Sequence, residues 1–226
     1  MTETSNRNIA ALFDFDGVVV DTETQYSNFW KKQGELYHPD MPDFATRIKG
    51  STLMQIFDNY FKDMNRIQQQ IREELTEFEQ QMSFPYIPGV VDFLKELRSH
   101  KVHMAVVTSS DPVKMERSFK ALPELNQLFD RILMAEDFTR SKPFPDCYLL
   151  GSEVFQTPPS HCFVFEDSFN GLKSGKDAGT TVIGLSTTNT KEAIADMASI
   201  VIPDFKDFTY QKMIMLLNDG MSERSA

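Results

Sequence analysis

The chain predicts an α/β protein, a parallel sheet with helices on both faces and a helical domain inserted after the first strand. Three observations carry this. From residue 90 onward, short apolar runs alternate regularly with amphipathic stretches. Between residues 22 and 84 the spacing is helical and no convincing strand occurs. The segment FPYIPG (84–89), with two prolines and a glycine, breaks the two patterns apart. The expected division is a core formed by 1–21 and 87–226, with a helical domain over 22–86.

Taken in order, IAALFDF (9–15) reads as a buried parallel strand, being short, apolar and followed by glycine. In the helical block, Ile56, Phe57, Tyr60 and Phe61 share one face, and QQQIREELTEFEQQM continues as an amphipathic helix. VVDFLKELRSH (90–100) predicts a helix and VHMAVVTSS (102–110) a strand that ends in small hydroxyl residues. PVKMERSFKAL follows as a helix, with Asp111 as the expected N-cap and Pro112 in the first turn. RILMA (131–135) predicts a strand and PDCYLLGSEVF (145–155) a helix. HCFVFED (161–167) is a clear strand, and SFNGLKSGKDAG (168–179) a helix closed by glycine. TTVIGL (180–185) and SIVIP (199–203) complete the strands, with a weak helix over 207–217.

Composition narrows the function. Net charge is −10, from 23 basic and 33 acidic side chains, and no basic run marks a nucleic-acid face. A small anionic substrate remains compatible, because a bound metal, a lysine and helix N-termini reverse the field inside one pocket. No segment has the length of a membrane span, and MTETSNRN lacks the apolar middle of a signal peptide. Cys147 and Cys162 are the only cysteines and form no CxxC or Cys/His cluster. The expectation is a cytoplasmic protein, a monomer or weak homodimer, without membrane or nucleic-acid partners.

In such sheets ligands gather at the carboxyl ends of the strands. The first strand delivers Asp14 and Asp16, which strand alternation would point the same way. The second delivers Thr108 and Ser109, the loop after the third delivers Lys142 within SKPFPD, and HCFVFED delivers Glu166 and Asp167. A buried, unpaired carboxylate costs several kcal/mol or more, so this clustering calls for a cation. Carboxylate oxygens with room for water suit a hard divalent ion such as Mg²⁺. The two hydroxyl residues, backed by a helix N-terminus, form an anion site. A metal, an anion site and a lysine together are what phosphoryl transfer requires.

Each element alone has a plainer explanation. Asp-x-Asp is commonly a turn, Thr108-Ser109 a helix cap, Lys142 a solvated side chain, and Glu166-Asp167 a cap for the next helix. Their coincidence at one edge outweighs these. Asp21, Glu23 and the Glu/Gln-rich helix around 68–81 read as solvated faces, and Trp30 and the methionines as packing residues. His38, His100, His103 and His161 lack a second ligand at metal-binding spacing.

The four segments, in this order, resemble the motifs of the haloacid dehalogenase superfamily: DFDGVVVDTE (14–23), VVTSS (106–110), SKPFPD (141–146) and FEDSFNGLKSGKDAG (165–179). The likeness covers nearly the whole chain and is greatest to the β-phosphoglucomutase and sugar-phosphatase branch. It implies a Rossmann-like core with a helical cap. By resemblance, Asp14 would be the nucleophile and Asp16 the general acid and base. Mg²⁺ would be held by Asp14, the Asp16 backbone carbonyl and Asp167, with Glu166 alongside or through water. Thr108, Ser109, with Ser110 beside it, and Lys142 would hold the phosphoryl group, and Lys49 and Gly50 would contact substrate. Two positions depart from the mutase pattern. Tyr26 stands where a histidine is expected, and in KGSTL (49–53) Leu53 replaces an arginine that would hold a second phosphate. The expectation is therefore a phosphatase acting on a small phosphorylated metabolite, with β-phosphoglucomutase as the alternative.

Overall fold

The computed structural model describes residues 8–49, 53–110 and 112–223, with side chains as far as residue 217. It holds one six-stranded sheet in the order β3-β2-β1-β4-β5-β6, with every pairing parallel. The strands are β1 (Ala10–Phe13), β2 (His103–Val107), β3 (Arg131–Leu133), β4 (Cys162–Glu166), β5 (Thr181–Leu185) and β6 (Ile200–Ile202). Helices α1 (Glu23–Tyr37), α2 (Phe44–Arg47), α3 (Leu53–Tyr60) and α4 (Asn65–Gln81) fill the block between β1 and β2. The others are α5 (Val90–Ser99), α6 (Pro112–Ala121), α7 (Leu125–Leu128), α8 (Asp146–Val154), α9 (Phe169–Asp177), α10 (Lys191–Ile194) and α11 (Tyr210–Glu223). The expected cap at Asp111 lies outside the described residues.

Strand β1 is buried at every position because both faces of the sheet are covered, which is why it reads as an uninterrupted apolar run. Its odd and even residues serve different layers. Phe13 stacks on Phe165 of β4 with centroids 4.4 Å apart, and Phe93 of α5, Phe129 and Phe205 surround the pair. On the other face, Leu12, Ala105 and Val164 pack with Cys147 and Tyr148 of α8. Gly151 lets that helix approach closely, since a Cβ there would lie 2.9 Å from both methyls of Leu12. Each fully buried Phe or Leu contributes about 1.5–3 kcal/mol, and these layers fix β1 between β2 and β4.

The chain divides into two compact units, residues 22–83 and the remainder. The helical unit has its own core of Phe29, Trp30, Phe44, Ile48, Ile56, Phe57, Phe61 and Ile71. In α4 the apolar stripe Ile67, Ile71, Leu75, Phe78 follows helical spacing, and the Gln and Glu residues between them are mostly on other faces. Two of those glutamates are more than solvated charges. Glu74 accepts from Gln33 Nε2 at 2.7 Å, and Glu79 from the Tyr26 hydroxyl at 3.0 Å.

Some elements differ from expectation. All strands but β5 stop one to three residues short at the site edge, because the chain turns there into loops, several of which carry functional side chains. Helices α7 and α10, four residues each, are too short to show a period. Helix α11 runs to Glu223 rather than residue 217. Asp21 and Glu23 are half-buried rather than solvated. No helix among the described residues is long and apolar enough to cross a membrane.

Candidate active site

The site lies at the carboxyl edge of the core sheet, where β1 meets neighbours from opposite directions of the chain. The Asp14 amide extends the ladder by donating to the Phe165 carbonyl at 3.0 Å. Beyond it, alternation ends: Gly17 adopts φ +74°, and Val19 and Val20 both donate to the Phe15 carbonyl. The ladder therefore still sets Asp14, and the turn carries Asp16. Both face one cavity of about 360 Å³, but they have different partners.

Asp14 accepts from Lys142 Nζ at 2.6 Å. The same ammonium donates to the Val107 carbonyl at 3.0 Å, lies 2.6 Å from Glu166 Oε1, and sits over the Tyr148 ring. Lys142 is 8 % exposed, so it must be matched by charge to remain an ammonium. Burial alone would pull its pKa down, but Asp14 and Glu166 outweigh that and raise it. Asp14 shows the opposite imbalance. Burial, with help from Glu166 and Asp16, pushes its pKa up to about 7 against the pull of Lys142. One lysine does not neutralise the carboxylates around it.

Glu166 is fully buried and saturated with donors. The Tyr148 hydroxyl reaches Oε1 at 2.7 Å, while Oε2 accepts from the amides of Asp167 and Ser168 and from the Ser168 hydroxyl. Ser168 also caps α9 by accepting from the Gly171 amide at 3.0 Å. Gly171 must lack a side chain, because a Cβ would fall on the Glu166 carboxylate. With these contacts held, Glu166 Oε1 also keeps its 2.6 Å ion pair with Lys142. The Asp167 carboxylate accepts from the Thr188 hydroxyl.

Asp14, Glu166 and Asp167 each offer an oxygen within 4.8 Å of the others. An all-oxygen set, buried and short of positive charge, fits a hard divalent cation such as Mg²⁺. The Asp16 side chain is directed elsewhere. Its Oδ2 accepts from the Ser110 hydroxyl at 2.6 Å and its Oδ1 pairs with Lys114 at 2.7 Å.

Thr108 is buried, and its hydroxyl accepts from the Ser110 amide at 3.0 Å, while Ser109 is exposed; all three line the cavity with Lys142. Lys49 belongs to the helical unit. It lines a separate cavity of about 380 Å³ there with Tyr26, Trp30 and Leu53. Gly50 lies outside the described residues. Sequence reasoning missed Lys114, Tyr148, Ser141, Ser168, Asn170 and Thr188. Ser168 sits inside a quoted motif and Tyr148 two residues past one, but nothing in their spacing announces a contact with Glu166. Lys114 lies six positions after Thr108, on the helix that follows it.

Residues 11–185 match the family model of haloacid dehalogenase-like hydrolases. The chain belongs to that family. This haloacid dehalogenase-like hydrolase is 31% identical over 180 residues to hexitol phosphatase A of Escherichia coli, covering 77% of this chain and 82% of that protein. It is 27% identical over 204 residues to validoxylamine A 7'-phosphate phosphatase of Streptomyces hygroscopicus, covering 87% and 94%. A solved HAD hydrolase, family IA, variant 3, from Entamoeba histolytica shares the fold with TM-score 0.78 at 23% identity, covering 93% of this chain and 99% of that one. With family and relatives in agreement, the chain is a hydrolase of the phosphatase kind.

Proposed function

We propose that this hydrolase is a Mg²⁺-dependent phosphatase of small phosphorylated metabolites, with sugar phosphates as the favoured class. The observation that carries the reading is the cluster of Asp14, Glu166, Asp167 and Lys142 at one sheet edge, opening on a cavity lined by hydroxyl groups. The relatives named for hexitol and validoxylamine A 7'-phosphate support the substrate class.

Asp14 attacks phosphorus in line, forming an aspartyl-phosphate as the bond to the leaving oxygen breaks. Asp16 gives that oxygen a proton, and in the second step takes one from the water that hydrolyses the intermediate, which releases phosphate and restores Asp14. Lys142, Thr108 and Ser109 hold the phosphoryl oxygens. Asp14, Asp167 and the Asp16 carbonyl, with Glu166 alongside, would hold Mg²⁺, which would supply charge neutralisation at the phosphoryl group and favour the ionised form of Asp14. Lys49 and Gly50 are assigned to substrate contact. The protein is placed in the cytoplasm, as a monomer or weak homodimer.

The mutase alternative is disfavoured by two residues. Tyr26 donates to Glu79 and packs on Phe78, a brace within the helical unit, and Leu53 cannot hold a second phosphate. Hydrolysis of a panel of sugar phosphates, phosphoglycolate, nucleotides and pyrophosphate, with and without Mg²⁺, tests the reading. Asp14→Asn should lower kcat by at least about 10³-fold. Retained turnover in that variant, or bisphosphate-dependent isomerisation of β-glucose 1-phosphate by the native protein, would overturn it.

A further inference from the structure

The loop after β5, Ser186–Thr190, belongs to none of the four sequence motifs, yet three of its side chains reach the site. The Thr187 hydroxyl donates to the Gly17 carbonyl at 2.6 Å. The Thr188 hydroxyl donates to Asp167 Oδ2, and Asn189 Nδ2 donates to the Asp167 carbonyl at 2.9 Å. The loop is itself anchored at both ends. The Ser186 amide pairs with Ile202 of β6 at 3.0 Å, and Thr190 caps α10 through the Ala193 amide at 3.3 Å.

Gly17 supplies a second, independent observation. A Cβ there would fall on the Asp167 carboxylate and lie 3.1 Å from the Thr188 hydroxyl, at a backbone φ of +74°. The turn that follows Asp16 is thus packed directly against the Asp167–Thr188 pair. Since β4 separates β5 from β1 in the sheet, the loop passes over the end of β4 to bind the turn after β1.

From this we infer that Thr188, with Thr187 and Asn189, forms a set of positioning residues that fixes Asp167 and the Asp14–Gly17 segment at the spacing a divalent cation needs. The inference rests on the metal-dependent reading above. A hydroxyl donating to one oxygen of a ligating carboxylate selects which oxygen faces the ion, and loss of such outer contacts lowers metal affinity about 10- to 100-fold. A loop that only closed the sheet edge would leave that affinity alone.

Titration calorimetry with MgCl₂ on the full chain separates the two. Thr188→Val keeps the shape and removes the hydroxyl, and should weaken Mg²⁺ binding about 10- to 100-fold, with KM at saturating Mg²⁺ unchanged. Thr188→Ser should restore native affinity. Folded Thr188→Val that binds Mg²⁺ as the native chain does overturns the inference. If Thr188→Val does not fold, Asn189→Ala decides: weakened Mg²⁺ binding supports the role, and native affinity overturns it. Absence of Mg²⁺ binding by the native chain would instead remove the metal reading itself, whatever the variants show.

Discussion

Lys142 is the residue on which the site's charge balance turns. Its ammonium serves Asp14, Glu166 and a backbone carbonyl at once. Lys142→Met keeps the length and removes the charge. It leaves buried carboxylates without their cation, a loss on the order of 3–5 kcal/mol when one partner of a buried pair is removed. Thermal unfolding of the Mg²⁺-free variant should show the penalty to be larger at pH 8 than at pH 6, because Asp14 escapes it by binding a proton. Activity should fall about 10²- to 10³-fold, as for removal of one electrostatic stabiliser. That Lys142 mattered was legible from its place in SKPFPD after the third strand. That it shares an edge with Asp14, 128 residues back, was inferred only from the convergence of strand ends, and its bond to the Val107 carbonyl, 35 residues back, was not anticipated. Lys114 shows the limit. Its partner Asp16 is 98 positions away in the chain, and a lysine on the first turns of an amphipathic helix carries no local sign of it.

The elements deliver these side chains through their ends. Helix α9 begins where β4 stops, and Ser168 does two things at that junction, capping the helix and donating to Glu166. Ser168→Ala should therefore lower stability by about 1–2 kcal/mol, at the upper end for a lost N-cap, and chemical denaturation would measure it. In the helical unit, α4 is held by its apolar stripe, with Ile71 fully buried. Ile71→Ala should destabilise that unit by about 2–5 kcal/mol, readable as lost amide protection in residues 22–83. Buried parallel strands are apolar at every position, so β1, β2 and β4 stood out in the sequence, and helices of ten or more residues showed their period. Helices α7 and α10 did not, being barely one turn long. Nor did the 186–190 loop, whose residues read as ordinary turn formers until its bonds to Gly17 and Asp167 are seen.

At the scale of the whole molecule, the acidic site ties stability to pH and, on the proposed function, to metal. An ordinary aspartate titrates near 3.8, whereas burial raises Asp14 to about 7 in the folded chain. The native state therefore holds a proton that the unfolded chain has released. This favours folding fully below pH 3.8 and is lost as pH rises to about 7. In the Mg²⁺-free protein, this group alone makes stability fall between those limits, by on the order of a few kcal/mol. Asp14→Asn should flatten that fall and leave the metal-free protein more stable than the native chain at pH 8. A bound cation reverses the balance, since it needs the ionised carboxylate and must displace the proton below pH 7. Stabilisation by a fixed Mg²⁺ concentration should thus grow from pH 6 to pH 8 and level off above it, as ligand binding to the native state alone requires. Scanning calorimetry at pH 6, 7 and 8, with and without MgCl₂, measures both effects. A Mg²⁺-induced shift in Tm that is the same at all three values would mean that Asp14 does not give up a proton to the ion, and the shared site would have to be redrawn.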